Sequence, residues 1–377
     1  MLYYLLYERL YPAISGFRIF RYLTVRTAFA GITALFLCVT LGPWLIAKLR
    51  EFQIGQYIRD EGPRSHQKKA GTPTMGGVLI VISIIVPTLL WGDLRFPYVW
   101  IALLSLLCFA AIGFIDDYAK VMKRRNLGLT SWQKFGLQVT VALLLTITLA
   151  VMEHYGAYSA TLIVPFFKTF QPDLIIHSLM DNPYTYGFAF IFLFLFIVII
   201  VVGASNAVNL TDGLDGLAIG LMVIAAGAMT ILTYMGSNRE LASYLQIAPN
   251  SRTAELTVFC GAMTGACVGF LWHNAHPADI FMGDVGSLSL GGVLGVIAVL
   301  IKQEMLLPFV GGVFVIELLS VVLQVGSYKL RKKRIFKMAP IHHHFEALGW
   351  TESKIIVRFW IVGLVLALFA LTTLKLR

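Results

Sequence analysis

The chain has 377 residues, of which 58% are hydrophobic and only 13% charged, and its formal net charge is +10. Soluble domains carry about 25% charged residues, so a soluble globular fold is excluded. Apolar runs of about 20 residues recur without barrel-like alternation, which indicates an all-α integral membrane protein. Its positive charge reads first as basic cytoplasmic loops facing anionic lipid; no RNA- or DNA-binding motif is present, and no nucleic-acid partner is expected.

The N-terminus lacks the basic region, short apolar core and small-residue cleavage site of a removable signal peptide, so residues 1–26 are expected to form an interfacial segment. Ten transmembrane helices are expected at about 27–47, 74–92, 97–115, 135–152, 187–205, 214–235, 255–272, 286–301, 305–327 and 355–374. The first loop holds Lys48, Arg50, Arg59, Arg64, Lys68 and Lys69; the third holds Lys120, Lys123, Arg124, Arg125 and Lys134. The ninth holds Lys329, Arg331, Lys332, Lys333, Arg334, Lys337 and Lys354. The positive-inside rule makes the side of these loops cytoplasmic and both termini periplasmic. Five cytoplasmic loops, about 48–73, 116–134, 206–213, 273–285 and 328–354, carry unusual polar clusters, whereas the external loops carry none. No repeat or low-complexity tract divides the chain, so residues 1–377 read as one polytopic membrane domain. Cys38, Cys108, Cys260 and Cys267 lie in apolar runs and read as small core residues.

The first cluster, Lys68-Lys69-Ala70-Gly71-Thr72-Pro73-Thr74-Met75-Gly76-Gly77, could cradle phosphate but lacks the Walker pattern, and positive-inside charge explains its lysines as well. Asp116-Asp117 closes the third span. Two adjacent carboxylates at a helix C-terminus repel each other and oppose the dipole, so a metal or Lys120 should compensate them. The stretch Asn206-Ala207-Val208-Asn209-Leu210-Thr211-Asp212-Gly213-Leu214-Asp215-Gly216 sets four polar groups against membrane-like sequence. A helix N-cap would need only one of them. His273, Asn274 and His276 precede Phe281-Met282-Gly283-Asp284-Val285-Gly286-Ser287, where Asp284 sits favourably at a helix N-terminus. Glu317 is an intramembrane acid, either functional or bonded to a neighbouring helix. Pro340-Ile341-His342-His343-His344-Phe345-Glu346 suits metal or phosphate contact but lacks zinc-site spacing.

Carboxylates and bases at this density on one membrane face suit Mg²⁺ and phosphate chemistry. A secondary transporter is the alternative, but transporter sites lie near the midplane and often within inverted repeats. Together, the Asp116-Asp117-Tyr118, Asn206–Gly216 and Gly283–Ser287 motifs resemble those of the polyprenyl-phosphate N-acetylhexosamine-1-phosphate transferases. The Pro340–Phe345 motif is similar to that of one branch, the phospho-N-acetylmuramoyl-pentapeptide transferases. The match runs in order from about Arg50 to the C-terminus.

The resemblance implies ten transmembrane helices, a cytoplasmic active-site cleft, Mg²⁺, a homodimer and the bacterial inner membrane. It implies transfer of phospho-MurNAc-pentapeptide from its UDP carrier to undecaprenyl phosphate, giving lipid I and UMP in peptidoglycan synthesis. On this resemblance Asp284 is a catalytic residue and the Mg²⁺ ligand. Asp116 and Asp117 are catalytic acids, with Asp117 a base or nucleophile. Lys69, Lys120 and Lys134 contact substrate phosphates, and Asn209, Asp212 and Asp215 form the central site. Asn274 and Phe281 contact the nucleoside, Phe281 by stacking. His342 is the essential member of its triplet, with His343 and His344 beside it in substrate binding.

Overall fold

Small residues at four-residue spacing decide how this chain packs. On the helix Leu256–Asn274, a side chain at Gly261 would strike Thr27, one at Gly265 would strike Gly31, and one at Gly269 would strike Cys38. The helix carrying Thr27, Gly31 and Cys38, Leu23–Glu51, can therefore lie almost backbone to backbone against it. Close approach of this kind drives association where no hydrophobic effect separates helix from lipid.

The computed structural model describes residues 1–52, 71–122, 128–164, 167, 170–182, 184–245, 247 and 249–376. The chain-order helices are α1 Leu23–Glu51, α2 Gly77–Trp91, α3 Pro97–Met122, α4 Ser131–His154, α5 Ile191–Ile197, α6 Gly203–Thr211, α7 Leu217–Ser237 and α8 Arg239–Leu245. They continue as α9 Leu256–Asn274, α10 Gly283–Leu300, α11 Leu307–Val310, α12 Gly312–Arg331, α13 Ile341–Ala347 and α14 Glu352–Thr372. No described residue lies in a β-strand, and one isolated β-bridge pairs Thr161 with Asp173. Among the described residues, nine helical segments are long and apolar enough to cross a membrane, counting Tyr186–Thr211 as one; Gly77–Trp91 is a shorter apolar helix.

α10 is the axis. Its residues from Val285 to Leu300 are all buried. Glycines fit it to its neighbours: Gly286 against Gly77 of α2, Gly292 against Phe109 of α3, and Gly291 and Gly295 against the α5–α6 segment. α1, α4, α12 and α14 lie outside and expose Leu, Ile, Val and Phe, the pattern of surfaces solvated by lipid tails. A π-helical turn, Val198–Val202, joins α5 to α6 and lets a single span present Asn206 and Asn209 on its last turns.

Several boundaries differ from expectation. α1 starts at Leu23, after a π-helical segment Tyr4–Leu10 and a 3₁₀ segment Ser15–Arg21. α3 does not end at Asp116-Asp117 but continues to Met122, because cations and backbone amides compensate the two carboxylates. The histidine triplet, expected in a loop, lies on the short helix α13. Cys38, Cys260 and Cys267 are buried as expected, but Cys108 is exposed on the outside of α3.

Candidate active site

Two lysines hold three carboxylates together where α3, α4 and α10 meet. Lys120 Nζ lies 2.6 Å from Asp116 Oδ2, 3.2 Å from Asp117 Oδ1 and 2.9 Å from Asp284 Oδ2. Lys134 Nζ lies 3.1 Å from Asp116 Oδ2 and 2.6 Å from Asp284 Oδ2. Lys120 comes from α3, one turn after the aspartates, and Lys134 from the first turns of α4, which opens on a capping box between Thr130 and Gln133. Backbone amides complete the set: Leu129 N donates to Asp116 Oδ1 and Val285 N to Asp117 Oδ2. Asp116 and Asp117 are buried, so they are not carboxylates solvated at the start of a loop.

Glycine makes this proximity possible. Gly283 has φ +71°, and a side chain there would sit 2.6 Å from Asp117 Oδ2. A side chain on Gly113 would strike the Asp284 backbone. Either substitution would push α3 and α10 apart at the point where their carboxylates converge.

The turn between α6 and α7 closes one side. Ser287 Oγ donates to Asn209 Oδ1 at 3.4 Å, and Asn206 Nδ2 donates to the buried Gln138 Oε1 at 2.7 Å. Ser205 Oγ donates to Leu288 O, so this polar ladder ties α4, α6 and α10 together beside the aspartates. Desolvation pushes the Asp212 carboxyl up to about 8, with Asp284, Asp117 and Asp215 adding to the rise. Asp215 Oδ2 accepts from Ala278 N at 3.2 Å and lies 3.2 Å from His276 Nδ1, which is 3.4 Å from Glu352 Oε2.

Asn274 is buried and braces the site with both ends of its amide: Gly216 N donates to its Oδ1, and its Nδ2 donates to Ile280 O. Phe281 is fixed through its backbone. Its N donates to Pro73 O, and Gly76 N donates to its carbonyl. The extended approach to α2 thus runs alongside residues 281–282.

The three histidines point three ways. His342 is fully buried, with Nδ1 3.1 Å from Glu317 Oε2 of α12. His343 Nδ1 lies 2.6 Å from Glu346 Oε2. His344 Nδ1 accepts from Lys337 N at 3.1 Å.

One oxygen from each of Asp116, Asp117 and Asp284 lies within 4.8 Å of the others, close enough to share a cation. Two unit negatives about 4 Å apart repel by about 4 kcal/mol at an effective dielectric near 20. Two lysines against three carboxylates leave one negative charge over, and an all-oxygen donor set suits a hard divalent ion. The residues present therefore fit such an ion.

The model for glycosyl transferase family 4 matches residues 99–302, and phospho-N-acetylmuramoyl-pentapeptide-transferase signature 1 matches residues 69–81. The phospho-N-acetylmuramoyl-pentapeptide-transferase of Solibacter usitatus is 69% identical over the whole of both chains. Those of Koribacter versatilis and Acidobacterium capsulatum are 65% and 64% identical, also over the full length of each. The chain belongs to the phospho-N-acetylmuramoyl-pentapeptide-transferase family. As a member with many apolar helices, it is a multi-pass protein of the bacterial inner membrane.

Of the residues that the family resemblance singles out, Asp116, Asp117, Lys120, Lys134 and Asp284 form one cluster. Asn209 adjoins it through Ser287, and Asp212 lies close enough to feel its charge. Asp215 belongs to a neighbouring group with His276 and Glu352, and His342 reaches Gly213 of the same turn. His343 and His344 engage their own helix and its approach. Lys69 lies outside the described residues. Sequence reasoning missed Gln138 and Glu352. A polar residue amid the apolar run of α4 was a signal for the first; Glu352, at a helix start, carried none beyond ordinary capping.

Proposed function

We propose that this protein transfers phospho-MurNAc-pentapeptide from UDP-MurNAc-pentapeptide to undecaprenyl phosphate. The products are lipid I and UMP, in the first membrane step of peptidoglycan synthesis. The observation that carries the reading is the convergence of Asp116, Asp117 and Asp284 with Lys120 and Lys134 where α3, α4 and α10 meet, in a chain 69% identical to a relative of that name. Such a cluster suits phosphate chemistry at a membrane surface, where a soluble nucleotide donor meets a lipid acceptor.

In the transfer, an oxygen of the lipid phosphate attacks the phosphorus that bears the sugar. The bridging P–O bond breaks and its electron pair leaves with UMP. Catalysis of this kind is mainly positioning and charge neutralisation. Lys120 and Lys134 hold phosphate oxygens, and Asp117 serves the attacking oxygen as base or acts as nucleophile in a two-step route. Asp284, with Asp116 beside it, would hold Mg²⁺, which supplies positive charge to the diphosphate. Asn209, Asp212 and Asp215 line the donor's path. Phe281 stacks on uracil, while Asn274 keeps its loop in place. Lys69 adds a phosphate contact, and His342, with His343 and His344, serves the sugar-peptide side.

For the topology we propose ten spans, with both termini periplasmic and the cleft cytoplasmic. The tenth is α2: at about 1.5 Å per residue its 15 residues reach about 22 Å, short of a bilayer core of about 30 Å. The hydrogen-bonded approach beside residues 281–282 supports the remainder, since its backbone is satisfied by protein. The basic loops support the orientation. One polytopic domain spans residues 1–377, and a homodimer is proposed on the family resemblance alone; molar mass in detergent tests it.

The test of the function is UMP release by purified protein given UDP-MurNAc-pentapeptide, polyprenyl phosphate and Mg²⁺. Release that stops in excess EDTA and returns with Mg²⁺ is expected. Undiminished turnover in EDTA would remove the metal from the account.

A further inference from the structure

Glu317 has no assigned part in the transfer, yet it is fully buried in α12. An ionised carboxylate in that position is costly unless something pairs with it. Its neighbour is His342, also fully buried, whose Nδ1 is 3.1 Å from Glu317 Oε2. The two atoms are close enough to pair, although the contact does not have the full geometry of a hydrogen bond. Neither Glu317 oxygen and neither His342 nitrogen has a hydrogen-bond partner among the described residues.

The far side of the ring is equally telling. A side chain added at Gly213 would strike His342 Nε2. The imidazole edge therefore lies against the Gly213 backbone, in the turn between Asp212 and Asp215. One nitrogen thus faces a buried acid and the other faces the central turn of the site.

We propose that Glu317 is the positioning residue of His342. It accepts a hydrogen bond from Nδ1–H, fixes the ring plane and keeps Nε2 turned to the Gly213 turn, where the donor passes. The second partner of a histidine sets which nitrogen carries the proton, and a small rotation of the ring completes the bond. The proposal rests on the reading above in which His342 serves the transfer. It also explains why an acid stands inside the ninth span: α12 and α13 are locked together through a side-chain pair rather than by packing alone.

The test compares Glu317→Met, which keeps volume but cannot accept a hydrogen bond from Nδ1–H, with Glu317→Gln, whose Oε1 still can. Turnover, donor KM and thermal stability in detergent are measured for each. ¹⁵N-histidine spectra are recorded in parallel, with His342 identified by its absence in His342→Asn. For Glu317→Met we expect kcat lowered about 10- to 100-fold, the range for removing a residue that orients a ligating histidine. Donor KM should stay within about threefold on the same argument, with partial recovery in Glu317→Gln. The His342 spectrum should show a protonated Nδ1 in the wild type that is lost in Glu317→Met. Wild-type kcat in Glu317→Met, equal losses in both variants, or an unchanged His342 spectrum would overturn the proposal. If the wild type releases no UMP from the muramoyl donor, the functional reading fails, while the spectra still decide the pairing.

Discussion

Lys134 Nζ lies 2.6 Å from Asp284 Oδ2, joining the start of α4 to the start of α10. These residues are far apart in sequence and meet only because α3, carrying Asp116, Asp117 and Lys120, packs between the two helices. Each lysine touches more than one carboxylate, so the cluster acts as a unit. Single substitutions in it should be non-additive.

Replacing Asp117 or Asp284 by Asn keeps volume while removing charge and basicity. Transfer should fall roughly 10²-fold or more in either variant, the scale for a positioned acid–base group. Both variants should purify as folded membrane protein, since Asn can still accept from Val285 N or Lys134. Near-wild-type rates in either would reduce that carboxylate to a structural charge.

Asp212 predicts a pH dependence. Its carboxyl is raised from 3.8 to about 8 by burial, with Asp284, Asp117 and Asp215 adding to the rise. The folded state then holds a proton that the unfolded chain has already lost, so stability falls as pH rises between those two values and levels off above about 8. Asp212→Asn lacks this slope. Thermal unfolding of metal-free protein from pH 5 to pH 9, on the principle of linkage, should show the variant gaining on the wild type until about pH 8. A constant difference across the range would mean that Asp212 is ionised throughout.

A third expectation concerns the opposite end of the bundle. Arg26 donates twice to Glu255, at 2.6 and 2.7 Å, and both residues are buried; Asp93 N also donates to Glu255. Removing one partner of such a pair typically costs about 3–5 kcal/mol. Glu255→Ala should therefore lower the unfolding temperature in detergent clearly, while turnover per folded molecule stays close to wild type. A large loss of turnover without loss of stability would tie this end to the chemistry.

Much of this arrangement is legible in the sequence. Runs of about 20 apolar residues mark the spans, and every described aspartate singled out there falls in or beside the site. What the sequence conceals is pairing. Nothing in it says that Lys134 joins Lys120 in bridging Asp116 and Asp284, because that second bridge depends on how α3 and α4 cross. Glu317 reads as either functional or structural until His342 is seen beside it. The histidine triplet looks like one unit, but a helical turn sends its members in three directions, and only His342 reaches Gly213. Asn274 suits a nucleoside contact by type, and the sequence carries no sign that its amide also bonds the backbone at Gly216 and Ile280.

The central claim is that the site acts on a muramoyl donor. The carboxylate cluster alone suits any UDP-hexosamine. The muramoyl substrate adds a lactyl-peptide arm, and we assign its recognition to α13 and its approach, which carry His342, His343, His344, Lys337 and Glu346. Polar groups left unpaired by a shorter donor would reject it. The most direct measurement is lipid-linked product formed from UDP-MurNAc-pentapeptide and from UDP-GlcNAc, at equal concentration with the same polyprenyl phosphate and Mg²⁺. The account predicts product from the muramoyl donor and little or none from UDP-GlcNAc; comparable or faster transfer from UDP-GlcNAc would contradict it.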